Sequence, residues 1–155
     1  MRLIVANQTL GGEQLASEIR ERIARGEDRF YIVVPMIAPQ YETQIWAVAD
    51  AGFAMLPPEP PKEEMAEALD EAEHRSAHRL ARMIAQIQAA GGAAEGEVGP
   101  TDPVRAVRDV LERFSFEEVI VSTLPSGISR WLKLDLPSRI GRLTETPVTT
   151  VEAER

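Results

Sequence analysis

The sequence predicts an α/β domain built on a five-stranded, parallel, doubly wound sheet with helices on both faces. Three observations predict it. Strand-like runs at residues 2–7, 29–37, 93–98, 117–123 and 147–152 alternate with segments of helical period. Alternation of strand and helix makes a parallel sheet joined by right-handed crossovers. Two of the runs, RLIVAN and RFYIVVPMI, are apolar through their centres, as strands covered on both faces must be.

Each element has its own signal. RLIVAN ends in polar residues and is followed by a turn at Thr9-Leu10-Gly11-Gly12. Residues 13–25 then place Leu15, Ile19 and Ile23 on one face and charged residues on the other, and Gly26 stops the helix. The second strand carries Pro35 near its end, where a missing N–H is tolerated. Residues 38–61 have an apolar centre and a proline-rich exit, read as a packed loop with one short helix. Residues 62–90 make the longest helix, striped by Met65, Leu69, Ala72, Ala77, Leu80, Ile84 and Ile87, and ended by Gly91-Gly92. AAEGEV is a weak third strand, and Thr101-Asp102-Pro103 opens a helix that runs to about Arg113. EEVIVST is the fourth strand. A helix over 129–143 follows, with a break expected near 136–137 because Pro137 lies within it. PVTTVE closes the sheet.

Composition narrows the function classes. The 155 residues suit one domain, which buries roughly 70% of the surface of its unfolded chain. No cysteine is present, so disulfides, thiolate metal sites and cysteine nucleophiles are excluded. A net charge of -8 spread along the chain disfavours nucleic acid and anionic membranes as partners. No apolar run approaches the ~18 residues of a membrane span, and the opening residues lack a signal-peptide layout. The expected location is cytoplasmic.

In a doubly wound sheet the ligand sits beyond the carboxyl ends of the strands, at the switch point. Here that rim comprises Asn7-Gln8-Thr9, Pro35-Met36, Gly99-Pro100 and the stretch 122–129. No catalytic set is visible. The two histidines, His74 and His78, share one charged helix, no G-x-S-x-G occurs, and the carboxylates fall on helix surfaces. The i, i+4 histidine spacing lacks a third metal ligand, so no metal site is expected.

Residues 97–151 contain EVGPTDPVRAVRDVL, EEVIVST and PVTTV in that order. The Asp102-Pro103 turn, the apolar strand Val119–Val121 and the last strand beginning at Pro147 resemble the universal stress protein family in order and spacing. RLIVAN and its helix fit the first strand–helix unit of that family, so the resemblance spans most of the chain outside 38–61. It implies a strand order of 3-2-1-4-5, a homodimer built on the last strand, and ATP or another adenine nucleotide as ligand. The G-x2-G-x9-G-[ST] phosphate loop of ATP-binding members falls on Ser122, Pro125, Asp135 and Leu136, none of which matches. Pro125 removes a backbone donor, and Asp135 adds negative charge where that loop holds phosphate. The acid that follows the first strand in the family maps near Asn7 or Gln8.

The candidate ligand-binding residues are therefore Asn7, Gln8, Ser122, Thr123, Ser126, Gly127, Ser129 and Arg130. The serines, Gly127 and Arg130 could form an anion-friendly turn at a helix start, and Asn7 and Gln8 could read a ligand's polar edge. The plainer alternative is turn and capping chemistry, with Ser126 or Ser129 as an N-cap. The expected role is stress-associated binding or regulation without catalysis. Two rivals are a hydrolase or transferase of the adenine nucleotide alpha hydrolase-like group, and a homodimeric interaction module using 38–61.

Overall fold

Alternation along each strand decides which side chain meets which helix. In the computed structural model, which describes residues 1–37 and 62–154, β1 (Arg2–Val5), β2 (Arg29–Pro35), β3 (Ala93–Gly99), β4 (Val119–Thr123) and β5 (Val148–Glu152) form one sheet. Its order is β3-β2-β1-β4-β5, and every pair is parallel. The order the resemblance implied is the order observed. The segment 38–61, expected as a loop with a short helix, lies outside the described residues.

Successive strand residues point to opposite faces. Leu3, Val5, Tyr31, Val33, Val119 and Val121 therefore face one side, and Ile4, Phe30, Ile32, Val34 and Ile120 the other. The first set is covered by α3 (Pro103–Arg113), through Val104, Val107 and Val110, and by Leu136 and Ile140. The second is covered by α1 (Glu13–Ala24), through Leu15 and Ile19, and by α2 (Lys62–Ala89), through Leu80, Met83 and Ile87. Leu3, Ile4, Val5, Ile32, Val33, Val119, Ile120 and Val121 have no exposed surface. Each such side chain contributes roughly 1.5–3 kcal/mol of burial free energy. Among the described residues no helix is long and apolar enough to cross a membrane.

Local signals explain most boundaries. Gly91, at φ 95°, ends α2 in the left-handed region as expected. The Asp102 carboxylate caps α3 by accepting the N–H groups of Val104, at 3.0 Å, and Arg105, at 3.4 Å. The weakness of the third strand has a steric cause. A Cβ on Gly96 would lie 2.4 Å from the Ile32 carbonyl oxygen and 2.7 Å from a Leu80 methyl, so α2 rests where a side chain would stand.

Three expectations need correction. The helix expected over 129–143 is two short helices, α4 (Arg130–Lys133) and α5 (Leu136–Gly141). The break is at Asp135, in left-handed backbone at φ 57°, and Pro137 instead helps to start α5, where its missing N–H is not needed. Ala77 is exposed, and the buried stripe of α2 runs through Ala72, Ser76, Leu80, Met83 and Ile87. The fourth strand begins at Val119, and Glu118 just before it gives its side chain to an ion network.

That network closes the amino rim of the sheet. Arg22, 4% exposed, donates Nε and Nη2 to the two carboxylate oxygens of Glu118, each at 2.8 Å. Its Nη1 reaches Glu18 at 2.7 Å. Glu118 also accepts from Arg2 at 3.2 Å and from Thr149 at 2.6 Å. The hydrogen bonds from Arg22 dominate the opposing effect of burial and hold the Glu118 carboxyl at about 2.

Candidate functional site

The chain leaves β1 and β4 in opposite directions, and these two strands are neighbours. After β1 it crosses to α1 on one face, and after β4 it crosses to α4 and α5 on the other. A crevice opens between two such exits. The polar ends of both strands line it, because the apolar runs stop at Ala6 and Val121 and the hydrophilic residues Asn7, Gln8, Thr9, Ser122 and Thr123 follow.

Most of these polar groups are satisfied by the protein. Asn7, 1% exposed, donates its amide to the Pro35 carbonyl at 2.8 Å and to Ser76 Oγ at 3.1 Å. Its Oδ1 accepts from Arg79 Nη1 at 2.6 Å. Both amide hydrogens are thus committed to tying β1, β2 and α2 together. The hydroxyls of Thr9 and Ser122 are 2.7 Å apart, and Thr9 also lies 3.2 Å from the Ser122 carbonyl oxygen. Thr123 donates to the Leu124 carbonyl at 3.0 Å. Ser129 accepts the Leu132 N–H at 3.1 Å and so serves as the N-cap of α4. The capping chemistry weighed for Ser129 is therefore real.

Two adjoining cavities occupy this rim. The inner one, about 30 Å3, lies among Asn7, Thr9, Ser122, Ser129, Ile37 and Leu124. It has room for about one water molecule. The outer one, about 380 Å3, extends toward α3 and is bounded by Met36, Thr101, Asp102, Pro103, Leu134 and Arg139. Ile37, Arg130 and Trp131 border both. Trp131 is partly buried and also packs on the core cluster that holds Leu136 and Ile140.

Of the eight candidate residues, six line the inner cavity: Asn7, Gln8, Ser122, Thr123, Ser129 and Arg130. Ser126 and Gly127 are exposed on the turn beyond it. The Ser126 N–H points to Glu152, whose Oε2 accepts it at 3.3 Å, so a carboxylate of the chain itself stands against this turn. Asp135 takes the left-handed backbone that a glycine would favour, and Leu136 after it is 1% exposed in the core. His74 and His78 are exposed on α2, and among the described residues no group of three His, Asp or Glu is placed to hold a metal.

Sequence reasoning missed Arg79, Ser76 and Arg139. Arg79 and Ser76 lie in a helix about seventy positions from Asn7, and no local pattern joins them to it. Arg139 reads as one more solvated cation until α5 turns at Asp135 and brings it to the outer cavity.

Fold and crevice together define a doubly wound α/β domain of the kind that receives small ligands at its switch point. The sequence matches no protein-family model and no curated protein. Solved structures do match. A universal stress protein from Archaeoglobus fulgidus superposes with a TM-score of 0.55 at 12% identity, over 97% of this chain and 91% of that one. A universal stress protein family protein from Arabidopsis thaliana, solved with AMP bound, gives 0.59 at 10% identity, over 99% and 92%. The hypothetical protein MJ0577 gives 0.61 at 9% identity, over 99% and 96%. The chain has the universal stress protein fold that its sequence resembles.

Proposed function

We propose that residues 1–155 are one universal stress protein-like regulatory domain that binds a small nucleoside-type ligand at the carboxyl rim without chemical turnover. The observation that carries this reading is the gathering of Gln8, Ser122, Thr123, Ser129, Arg130 and Trp131 around adjoining cavities at the switch point. The AMP found in the Arabidopsis protein of the same fold supports the ligand class. The loop chemistry supports a ligand with little phosphate. Pro125 offers no N–H, and the Ser126 N–H faces Glu152 rather than a vacant position.

Calorimetric titration with adenosine, AMP, ADP and ATP tests it. Adenosine and AMP should bind, and ATP should bind more weakly than AMP. Tight ATP binding that Arg130→Ala abolishes would restore a conventional triphosphate site. Phosphate release in the presence of magnesium would favour the hydrolase reading.

A homodimer through β5 belongs to the same proposal. The β5 strand pairs only with β4 among the described residues, and its sequence VTTVE is rich in β-branched residues suited to pairing. Light scattering of the purified protein should give twice the chain mass, and a monomer would count against it. A cytoplasmic location completes the reading, supported by a cysteine-free sequence that needs no oxidising compartment.

A further inference from the structure

Volume and charge say where a ligand of this kind must lie. The inner cavity, about 30 Å3, cannot take a nucleoside. The outer cavity, about 380 Å3, falls within the range of small-molecule sites. The bulk of a ligand therefore belongs on the α3 side of Trp131, with only an edge reaching the ends of β1 and β4. The indole borders both spaces and offers a planar ring an apolar surface to pack on.

Charge is distributed in the same sense. The whole chain carries a net charge of -8. Yet residues 130–142 hold Arg130, Lys133, Arg139 and Arg142 against a single acid, Asp135. Two of these cationic residues, Arg130 and Arg139, line the outer cavity. The one carboxylate that lines it, Asp102, is engaged in capping α3. Among the described residues Arg139 forms no ion pair. The turn at 126–127 has the opposite character. It borders neither cavity, and its Ser126 N–H is directed at a carboxylate.

We infer that the outer cavity is a phosphomonoester-binding subsite, in which Arg139, with Arg130, holds the anionic end of the ligand while the 125–129 turn does not. The inference rests on the nucleoside-binding reading above and deepens it. It assigns Arg139 as a specificity residue that distinguishes a nucleoside monophosphate from the bare nucleoside. Two guanidinium groups suit this task, because each presents several N–H donors in a plane that matches phosphate oxygens.

Calorimetry on the full chain tests it with AMP and adenosine as probes, using wild type, Arg139→Gln and Glu152→Gln. Arg139 is exposed on α5, so its replacement is expected to leave the fold intact, checked by an unchanged thermal midpoint. In wild type, AMP should bind about tenfold more tightly than adenosine. Arg139→Gln should remove that advantage and leave adenosine affinity unchanged. Glu152→Gln, which relieves the turn of its carboxylate, should change neither. If AMP keeps its advantage in Arg139→Gln, Arg139 does not hold the phosphate and the inference is wrong; if AMP gains affinity in Glu152→Gln, the phosphate lies at the turn and the inference is equally wrong. If adenosine and AMP bind wild type equally, the subsite is overturned while nucleoside binding stands. If neither binds, the nucleoside reading fails and takes the subsite with it.

Discussion

The two rims of the same sheet treat polar groups in opposite ways. At the amino rim, charges are drawn in and paired to completion. Glu118 receives Arg22, Arg2 and Thr149, and Arg22 in turn spans Glu118 and Glu18. At the carboxyl rim, the buried groups are amides and hydroxyls, bonded in pairs around open volume, and the charges stand at its border. A buried charge requires a full set of partners and leaves no valence for a ligand. A neutral hydroxyl or amide tolerates burial with one or two bonds, so it can edge a cavity at little cost. The amino rim is therefore built to hold the fold, whereas the carboxyl rim keeps open volume beside its polar groups.

The largest effect should come from breaking the amino rim. Glu118→Gln leaves the buried Arg22 with Glu18 as its one remaining carboxylate and should destabilise the domain by about 3 kcal/mol, read from urea unfolding. Acid titration gives the same contrast a sign. The folded Glu118 carboxyl sits at about 2, below the unfolded range near 4. Its contribution is present above the unfolded value and is lost as pH falls from there toward 2. Wild type should thus lose more stability across that window than Glu118→Gln. Equal losses would show that the network carries little of the acid sensitivity.

A smaller effect is expected at the carboxyl rim. Asn7→Leu strands the Pro35 carbonyl, Ser76 and one donor of Arg79, at a cost of roughly 1–3 kcal/mol by the same unfolding measurement. A cost equal to that of Glu118→Gln would break the comparison, because the site's floor would then be as structural as the opposite rim. The smallest effect belongs to Asp135→Gly. It removes a side chain from left-handed backbone and should stabilise by up to about 1 kcal/mol. Destabilisation instead would give the Asp135 side chain a role in holding α5.

Much of the fold was legible because its signals are local. Continuous apolar runs marked β1 and β2, and the Asp102-Pro103 pair marked the start of α3. The helix at 129–143 was misread for a physical reason. Apolar periodicity continues through Leu132, Leu136 and Ile140, but it does not report the single left-handed residue that redirects the axis. The stripe of α2 was misplaced at Ala77 because alanine suits either face, while Ser76 is buried by its bond to Asn7. Within the candidate site, the strand ends were found from topology alone. The partners of Asn7, and Arg139 at the outer cavity, were not.

What the sequence determined by itself is the alternation of strand and helix, the two-faced burial of the central strands and the polar character of the strand ends. These depend on neighbours a few residues apart. Tertiary structure decided that Asn7 spends its amide on β2 and α2, that Glu152 faces the 126–127 turn, and that Arg139 borders the wider cavity. Those outcomes depend on groups brought together across the sheet, where hydrogen-bond valence and the space left by packing decide which side chains remain available to a ligand.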